Sequence, residues 1–415
     1  MRRHLPNILL PAFFLVSLSS AAASEFRVVP SIAVSEEVND NILQARVGER
    51  LELVTRAQPG AALRYLGPHT SLDASYNLDY RYYARNTRED EFNHAASLRG
   101  MLALWDDFFT LEASESYSRV PLDLARDTVQ ESVLVNQTDQ NVATISPFLT
   151  WRLGGNGTLR TGYRFSDIRY WHSPAIDKQV HGAFADYRHR LGARLDFDAG
   201  YHFSSTETAL NRFQKHDVST GFRYQYGERS FLYGSIGQSW LEFSNGLNSS
   251  DPFWKVGVTD DFGLAVATLE SVVQYTEDPL TLSTRQTDYS FKLDRALERG
   301  RLWLSTGYTE YRVTLDSSQD RKRFQLNLGG SHELQRGVSA SISATGERLS
   351  RSSSTSTSSL NLPYRLVASA SVNWAMAEGT TLGGTYSHIS YREEPGESAG
   401  SIEVNRGIVE LRKSF

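Results

Sequence analysis

The sequence predicts an all-β fold, a transmembrane antiparallel up-and-down β-barrel. The first observation is a rhythm of about ten repeats, each a strand-like segment of roughly 12 to 17 residues, a very short turn, a second such segment and a longer polar connection. The second is strict polar/apolar alternation inside those segments. The third is the C-terminus, Glu410-Leu411-Arg412-Lys413-Ser414-Phe415, where an aromatic last residue follows alternating apolar positions. Hydrocarbon offers no hydrogen-bond partners, so a sheet crosses a bilayer only when it closes on itself and leaves no edge.

The chain opens as an exported one. Arg2 and Arg3 form a basic start, Ile8 to Leu18 is an apolar run interrupted by Pro11, and Ala21-Ala22-Ala23 offers a cleavage site before Ser24. Residues 1–23 are therefore expected to be a signal peptide, leaving 24–415 as one barrel. No later stretch approaches the roughly 18 apolar residues a membrane helix needs. The absence of Cys removes a lipid-anchored N-terminus, disulfides, thiolate nucleophiles and Cys-ligated metals. Loss of the leader, with two Arg and no acid, takes the formal charge from −5 to about −7.

Short turns fall near Gly67-Pro68, Asp106-Asp107, Gly154 to Gly157, Leu191-Gly192, Gly227-Glu228, Asp260 to Gly263, Glu298 to Arg301, Arg336-Gly337 and Ala377 to Gly379. Gly, Asp and Asn recur there because tight hairpins need positive φ at their central residues. The intervening connections are longer and polar, Pro121 to Gln137 being the longest after the first. Short turns on one side and long loops on the other match bacterial barrels, whose short turns face the periplasm. Both termini then lie on the periplasmic side.

Between the turns the alternation assigns strands near 26–35, 50–66, 71–84, 92–105, 108–120, 138–153, 157–171, 177–191, 193–205 and 213–226. The second half follows with 229–243, 251–262, 264–277, 284–297, 301–315, 320–336, 338–350, 357–376, 379–392 and 399–415. That makes about 20 strands, with 18 as the alternative if the first hairpin is irregular. From Arg194 to Phe203, for example, Leu195, Phe197, Ala199, Tyr201 and Phe203 share one face, and Arg194, Asp196, Asp198 and His202 the other. A propeller would need four short strands per period and recurrent signature dipeptides, which are missing. A soluble sandwich would have to close one core across some twenty long strands. Twenty Tyr, 20 Phe and 7 Trp suit aromatic girdles at the two membrane interfaces. A barrel this wide holds a water-filled lumen unless loops fold inward.

The same phase turns Arg160, Arg164, Asp186, Arg188, Arg190, Arg194, Asp196, Asp198 and Arg223 inward from neighbouring strands, with His202 among them. Six Arg on one wall can hold carboxylate or sulfate groups by fork-shaped hydrogen bonds and favour anions in a pore. An Arg-Asp ladder that only braces the lumen is the competing expectation, because the three Asp offset part of the field.

Catalysis is not expected, since no metalloprotease helix, nucleophile elbow or phosphate loop occurs, although His172, His202 and His216 fall near loop ends. No cofactor or metal is expected. The acidic balance also disfavours nucleic acid.

Near the mature N-terminus, Val29-Pro30-Ser31-Ile32-Ala33-Val34-Ser35-Glu36-Glu37-Val38-Asn39-Asp40-Asn41-Ile42 resembles the opening of the β-barrel porin family whose members accompany exopolysaccharide gene clusters. About 14 residues carry the resemblance; the hairpin rhythm and terminal Phe are shared by many outer-membrane barrels. It implies an extended first strand running into an acidic loop that contains Ser35, Glu36, Glu37, Asn39, Asp40 and Asn41. A structural turn and a ligand or cation site both remain open for that loop. The resemblance further implies a Gram-negative outer-membrane location and export of a polysaccharide, with periplasmic polymer-export proteins as partners. Outer-membrane lipids and the barrel insertion machinery, which reads Phe415, are the other expected partners. A general diffusion porin and a surface scaffold or receptor barrel are the alternative functions.

Overall fold

The computed structural model describes residues 24–415 apart from 123–136, 172–173, 210, 277, 282, 315–319, 352–361 and 394–400. The expected leader, His172 and most of the Pro121 to Gln137 connection lie outside the described residues.

The chain forms one antiparallel sheet of twenty strands. The first ten are β1 (Glu25–Asn39), β2 (Glu52–Leu66), β3 (Thr70–Tyr83), β4 (Glu91–Leu104), β5 (Phe109–Pro121), β6 (Gln137–Leu153), β7 (Gly157–Tyr170), β8 (Lys178–Arg190), β9 (Leu195–Glu207) and β10 (Arg212–Gln225). They continue as β11 (Phe231–Phe243), β12 (Asn248–Asp261), β13 (Val266–Thr276), β14 (Thr284–Leu297), β15 (Gly300–Val313), β16 (Arg321–Gln335), β17 (Val338–Arg351), β18 (Tyr364–Ala377), β19 (Thr380–Arg392) and β20 (Ile402–Ser414). Each strand pairs with its sequence neighbours, and β1 pairs with β20 from Ser31↔Ser414 to Asn39↔Arg406. The sheet is thus a closed barrel of the predicted class and strand number, with no free edge strand.

Period-2 alternation sets which side chains face out. On β1, Phe26, Val28, Ile32, Val34 and Val38 are exposed on the outer wall, whereas Ala33, Ser35, Glu37 and Asn39 are buried on the inner one. The register Glu37↔Val54 and Asn39↔Glu52 carries the same phase into β2, and so on around the barrel.

At the short-turn end, Gly154, Gly192, Gly263, Gly337 and Gly379 adopt the positive φ that tight hairpins demand. Gly379 is doubly constrained, because a Cβ there would come 2.3 Å from the Ser414 carbonyl oxygen as well as sit at φ +67°. The β4–β5 turn does without Gly: Trp105, Asp106 and Asp107 are all left-handed, a conformation Asp tolerates better than most residues.

The first strand is longer than its alternation suggests. The register of β1 with β2 and β20 continues through Asn39, so Ser35, Glu36, Glu37 and Asn39 belong to a strand and only Asp40 and Asn41 begin the turn. Consecutive polar residues mask the alternation there, while the ladder to both neighbours keeps the backbone extended. Conversely β18 starts at Tyr364 instead of near 357, after a Ser/Thr-rich stretch with no apolar phase.

Phe415 follows the closing strand, donating its backbone N–H to the Pro30 carbonyl at 3.0 Å while its ring is exposed. Deleting Phe415 should lower the amount of folded protein in outer-membrane fractions, read by heat-modifiable migration on gels. Unchanged folded yield would remove Phe415 from the assembly signal.

Candidate functional site

The inner wall is layered. Towards the short-turn end, β7 to β10 form a charged wall built by direct cross-strand register. Arg160, Asp186, Gly200 and Ser219 lie in one row, Thr158, Arg188, Asp198 and Gly221 in the next, and Arg190, Asp196 and Arg223 in a third. Arg164 faces Gly182, and His202 sits between Phe184 and Asp217. Glycines in these rows leave room for the long side chains opposite them.

Arg194 flanks this wall, one residue before β9 begins. Its carbonyl accepts from the Gln225 N–H at 2.8 Å in the short turn. Alternation extended one residue too far, because the β8–β9 turn occupies 191–194.

Charge in the wall is unevenly matched. His202 Nε2 lies 2.8 Å from Asp186 Oδ1, Arg160 lies 3.9 Å from Asp186 Oδ2, and Arg190 is 3.6 Å from Asp196. Arg164, Arg188 and Arg223 make no ion pair among the described residues, while the Arg164 and Arg223 guanidinium carbons stand 5.5 Å and 4.0 Å from the rings of Phe184 and Phe231. Arg160, Asp186, Arg188, Asp198 and His202 line a concavity of ≈ 580 Å³ on this wall. With five Arg facing three Asp and the pairs half-exposed, each contact is weak and a net positive field survives. The arrangement can hold carboxylate or sulfate oxygens transiently through several forks.

The long-loop end is different: there buried apolar clusters appear on the inner face. Val54 and Tyr83 close over Ile42, a residue of the β1–β2 loop. Leu362 packs with Val367, Ile389, Tyr391, Ile402 and Val404, and Phe213, Leu241 and Phe243 pack against Tyr275. Inner residues are expected to be polar because water fills a wide barrel; here loops enter the mouth, so these side chains meet protein instead.

The β13–β14 loop makes the farthest reach. Arg321 of β16 donates to Asp278 Oδ2 at 2.7 Å, and Lys178 of β8 donates its Nζ to the Asp278 carbonyl at 2.8 Å. The Ile176 N–H, in the β7–β8 loop, donates to the Pro279 carbonyl at 2.8 Å, while Asp278 Oδ2 also accepts from Thr284 Oγ1. Asp278, Lys178 and Arg321 are all buried. Strands β9 to β15 separate the two cations along the wall, so a single loop residue bridges distant parts of the outer mouth. Nothing in the alternation pointed to this: Asp278 sits in a polar connection, and only folding brings residues 178 and 321 to it.

The Ser35 to Asn41 segment acts on the barrel seam. Asp40 accepts from the Asn405 N–H and Nδ2, both at 2.7 Å, and Asn41 Nδ2 donates to the Glu403 carbonyl at 3.0 Å. Asn39 Nδ2 donates to Glu37 Oε1 at 3.2 Å, whereas Glu36 faces outward and accepts from Thr55. The Asp40 and Asn41 bonds fasten the end of β1 to β20 where the ladder ends. Nearby, buried Glu52 accepts from the N–H groups of Leu53, Arg85 and Thr87 and from the Thr87 hydroxyl, holding the β3–β4 loop down. His216 lies on the outer wall against Tyr201, away from the charged wall.

No protein-family model matches the chain, and no curated relative does. Solved structures match over most of it. The copper transporter OprC has 11% identity and a TM-score of 0.57, over 94% of this chain and 81% of that one. The ferric enterobactin receptor PfeA from Pseudomonas aeruginosa (an R480A/Q482A mutant) has 8% identity and a TM-score of 0.55, covering 94% and 80%. The ferric-catecholate import receptor Fiu from E. coli K12 has 9% identity and a TM-score of 0.51, covering 93% and 81%. The likeness at these identities is one of fold: a twenty-strand barrel structurally similar to outer-membrane receptors and transporters.

Proposed function

We propose that the protein is an outer-membrane channel through which an acidic exopolysaccharide leaves the cell, with the loops of the outer mouth as its gate. The observation that carries this reading is the wall of Arg160, Arg164, Arg188, Arg190 and Arg223, three of whose members have no ion-pair partner among the described residues. Conduction requires that a bound segment also leave, and many weak, repeated contacts suit a sliding polymer better than one tight site. Interleaved Asp186, Asp196 and Asp198 can accept hydrogen bonds from sugar hydroxyls between acidic groups. The S-E-E-x-N-D-N-I opening supports the polymer class, and the barrel's likeness to outer-membrane receptors supports the location. Periplasmic polymer-export proteins would deliver the chain to the short-turn end.

A second reading, a general diffusion porin or small-solute receptor, is favoured by one observation. The β13–β14 loop folds into the mouth, as a size-selecting constriction would.

Deleting the gene should stop polysaccharide from reaching the surface while leaving uptake of small solutes unchanged. Surface polymer would be quantified by dye or lectin binding in the deletion strain and its complemented counterpart. Normal surface polymer with slowed solute uptake would overturn export and leave the porin.

A further inference from the structure

The outer wall carries one arrangement three times. The Tyr76 hydroxyl lies 2.8 Å from His94 Nδ1, the Tyr163 hydroxyl 2.6 Å from His181 Nδ1, and the Tyr201 hydroxyl 2.9 Å from His216 Nδ1. The pairs bridge β3 to β4, β7 to β8 and β9 to β10. In each, Tyr stands opposite a smaller apolar residue, Ala96, Ala183 or Val218, and the His lies two positions closer to the long-loop end. Opposite each His stands an apolar residue, Leu78, Phe165 or Phe203.

The three His share one height. His94, His181 and His216 lie nine or ten residues from the short-turn ends of their strands at Leu104, Arg190 and Gln225. At roughly 3.3 Å per residue and a tilt of about 40°, that is about 23 to 25 Å, the outer edge of an apolar band about 25 Å tall.

Either group can donate in these pairs, and the tautomer in which the phenol O–H donates is the one that offers a donor to the leaflet. A phenol O–H donating to Nδ1 leaves the imidazole proton on Nε2. No protein acceptor engages any of the three Nε2 atoms among the described residues. In that tautomer each pair presents one N–H donor, framed by apolar side chains, where a membrane leaflet changes from acyl chain to headgroup. A fourth position shows the contrast. There Asn405 takes the place of the His beneath Tyr386, and its amide is committed to Asp40 at the seam.

We propose that His94, His181 and His216 are docking points for phosphate-bearing amphiphiles of the outer leaflet, each Nε2–H donating to a headgroup phosphate oxygen. The inference needs only that the barrel spans a bilayer and is independent of what passes through its lumen. Tyr76, Tyr163 and Tyr201 are positioning residues, holding the ring edge towards the leaflet. Apolar framing keeps water from competing, so the anionic oxygen is the acceptor that satisfies the donor.

The test uses the full-length barrel in dodecyl maltoside, with dilauroyl phosphatidic acid or dilauroyl phosphatidylcholine added as probe. The unfolding midpoint is read from heat-modifiable migration on gels. Ligand that binds only the folded state raises the midpoint. The exposed phosphate of phosphatidic acid should raise it more than the choline-shielded one. In the H94F/H181F/H216F variant, which keeps aromatic girdle positions but loses the donors, that excess should vanish. Gln at the same positions, whose amide reaches as far as Nε2, should keep part of it. If the triple variant fails to fold, each single His→Phe change should remove about a third of the excess. An equal excess in the Phe variants, or no excess in the unaltered protein, would overturn the proposal.

Discussion

Replacing Asp278 by Ala should raise the single-channel conductance of the purified barrel several-fold in planar bilayers. Asp278 is the residue through which the β13–β14 loop holds both Arg321 and Lys178 across the outer mouth. Its carboxylate is buried with Arg321, and breaking a buried ion pair by removing one member costs on the order of 3 to 5 kcal/mol. The loop relieves that cost by leaving the mouth and letting water reach Arg321. Asp278→Asn keeps the shape and the Thr284 hydrogen bond but loses the charge, and should open the mouth less often than Ala. Arg321→Met, which removes the opposite partner, should act in the same direction. Unchanged conductance in all three variants would mean that the loop is a fixed part of the wall.

Replacing Arg160, Arg164, Arg188, Arg190 and Arg223 together by Gln should turn a preference for anions into one for cations. The present wall has two more Arg than Asp, and the substitution leaves Asp186, Asp196 and Asp198 uncompensated. Reversal potentials in a salt gradient check the sign. The shift should be largest at low salt, because the screening length is about 10 Å at 0.1 M and grows on dilution. Arg164, Arg188 and Arg223 should account for most of it, since Arg160 and Arg190 already face carboxylates. Arg194→Gln, in the short turn, should change little. An unaltered reversal potential in the five-Gln variant would take the wall out of ion selection.

These expectations rest on parts of the molecule that differ in how visible they are in the sequence. Strand number, the short turns and the phase of each wall were legible because a β-strand alternates with period 2, and because positive φ leaves Gly, Asp and Asn in the turns. That is why Arg160, Asp186, Asp198 and Arg223, scattered over four strands, fall on one face by alternation alone. Alternation misplaces the strand limits at Arg194, which lies in a turn, and at Ser35 to Asn39, where polar residues hide a strand held by both of its neighbours.

Sequence alone determined the barrel and the charged wall, since both follow from local alternation and from pairing between adjacent segments. Only the tertiary structure decided how the lumen ends. The contacts of Asp278 with Lys178 and Arg321 join residues 100 and 43 positions apart, and those of Asp40 and Asn41 with Asn405 and Glu403 join residues more than 360 apart. No local period records such pairs. They exist because closing the sheet brings β1 against β20 and turns several loops into one mouth, where apolar side chains that alternation would have placed in water are buried against one another.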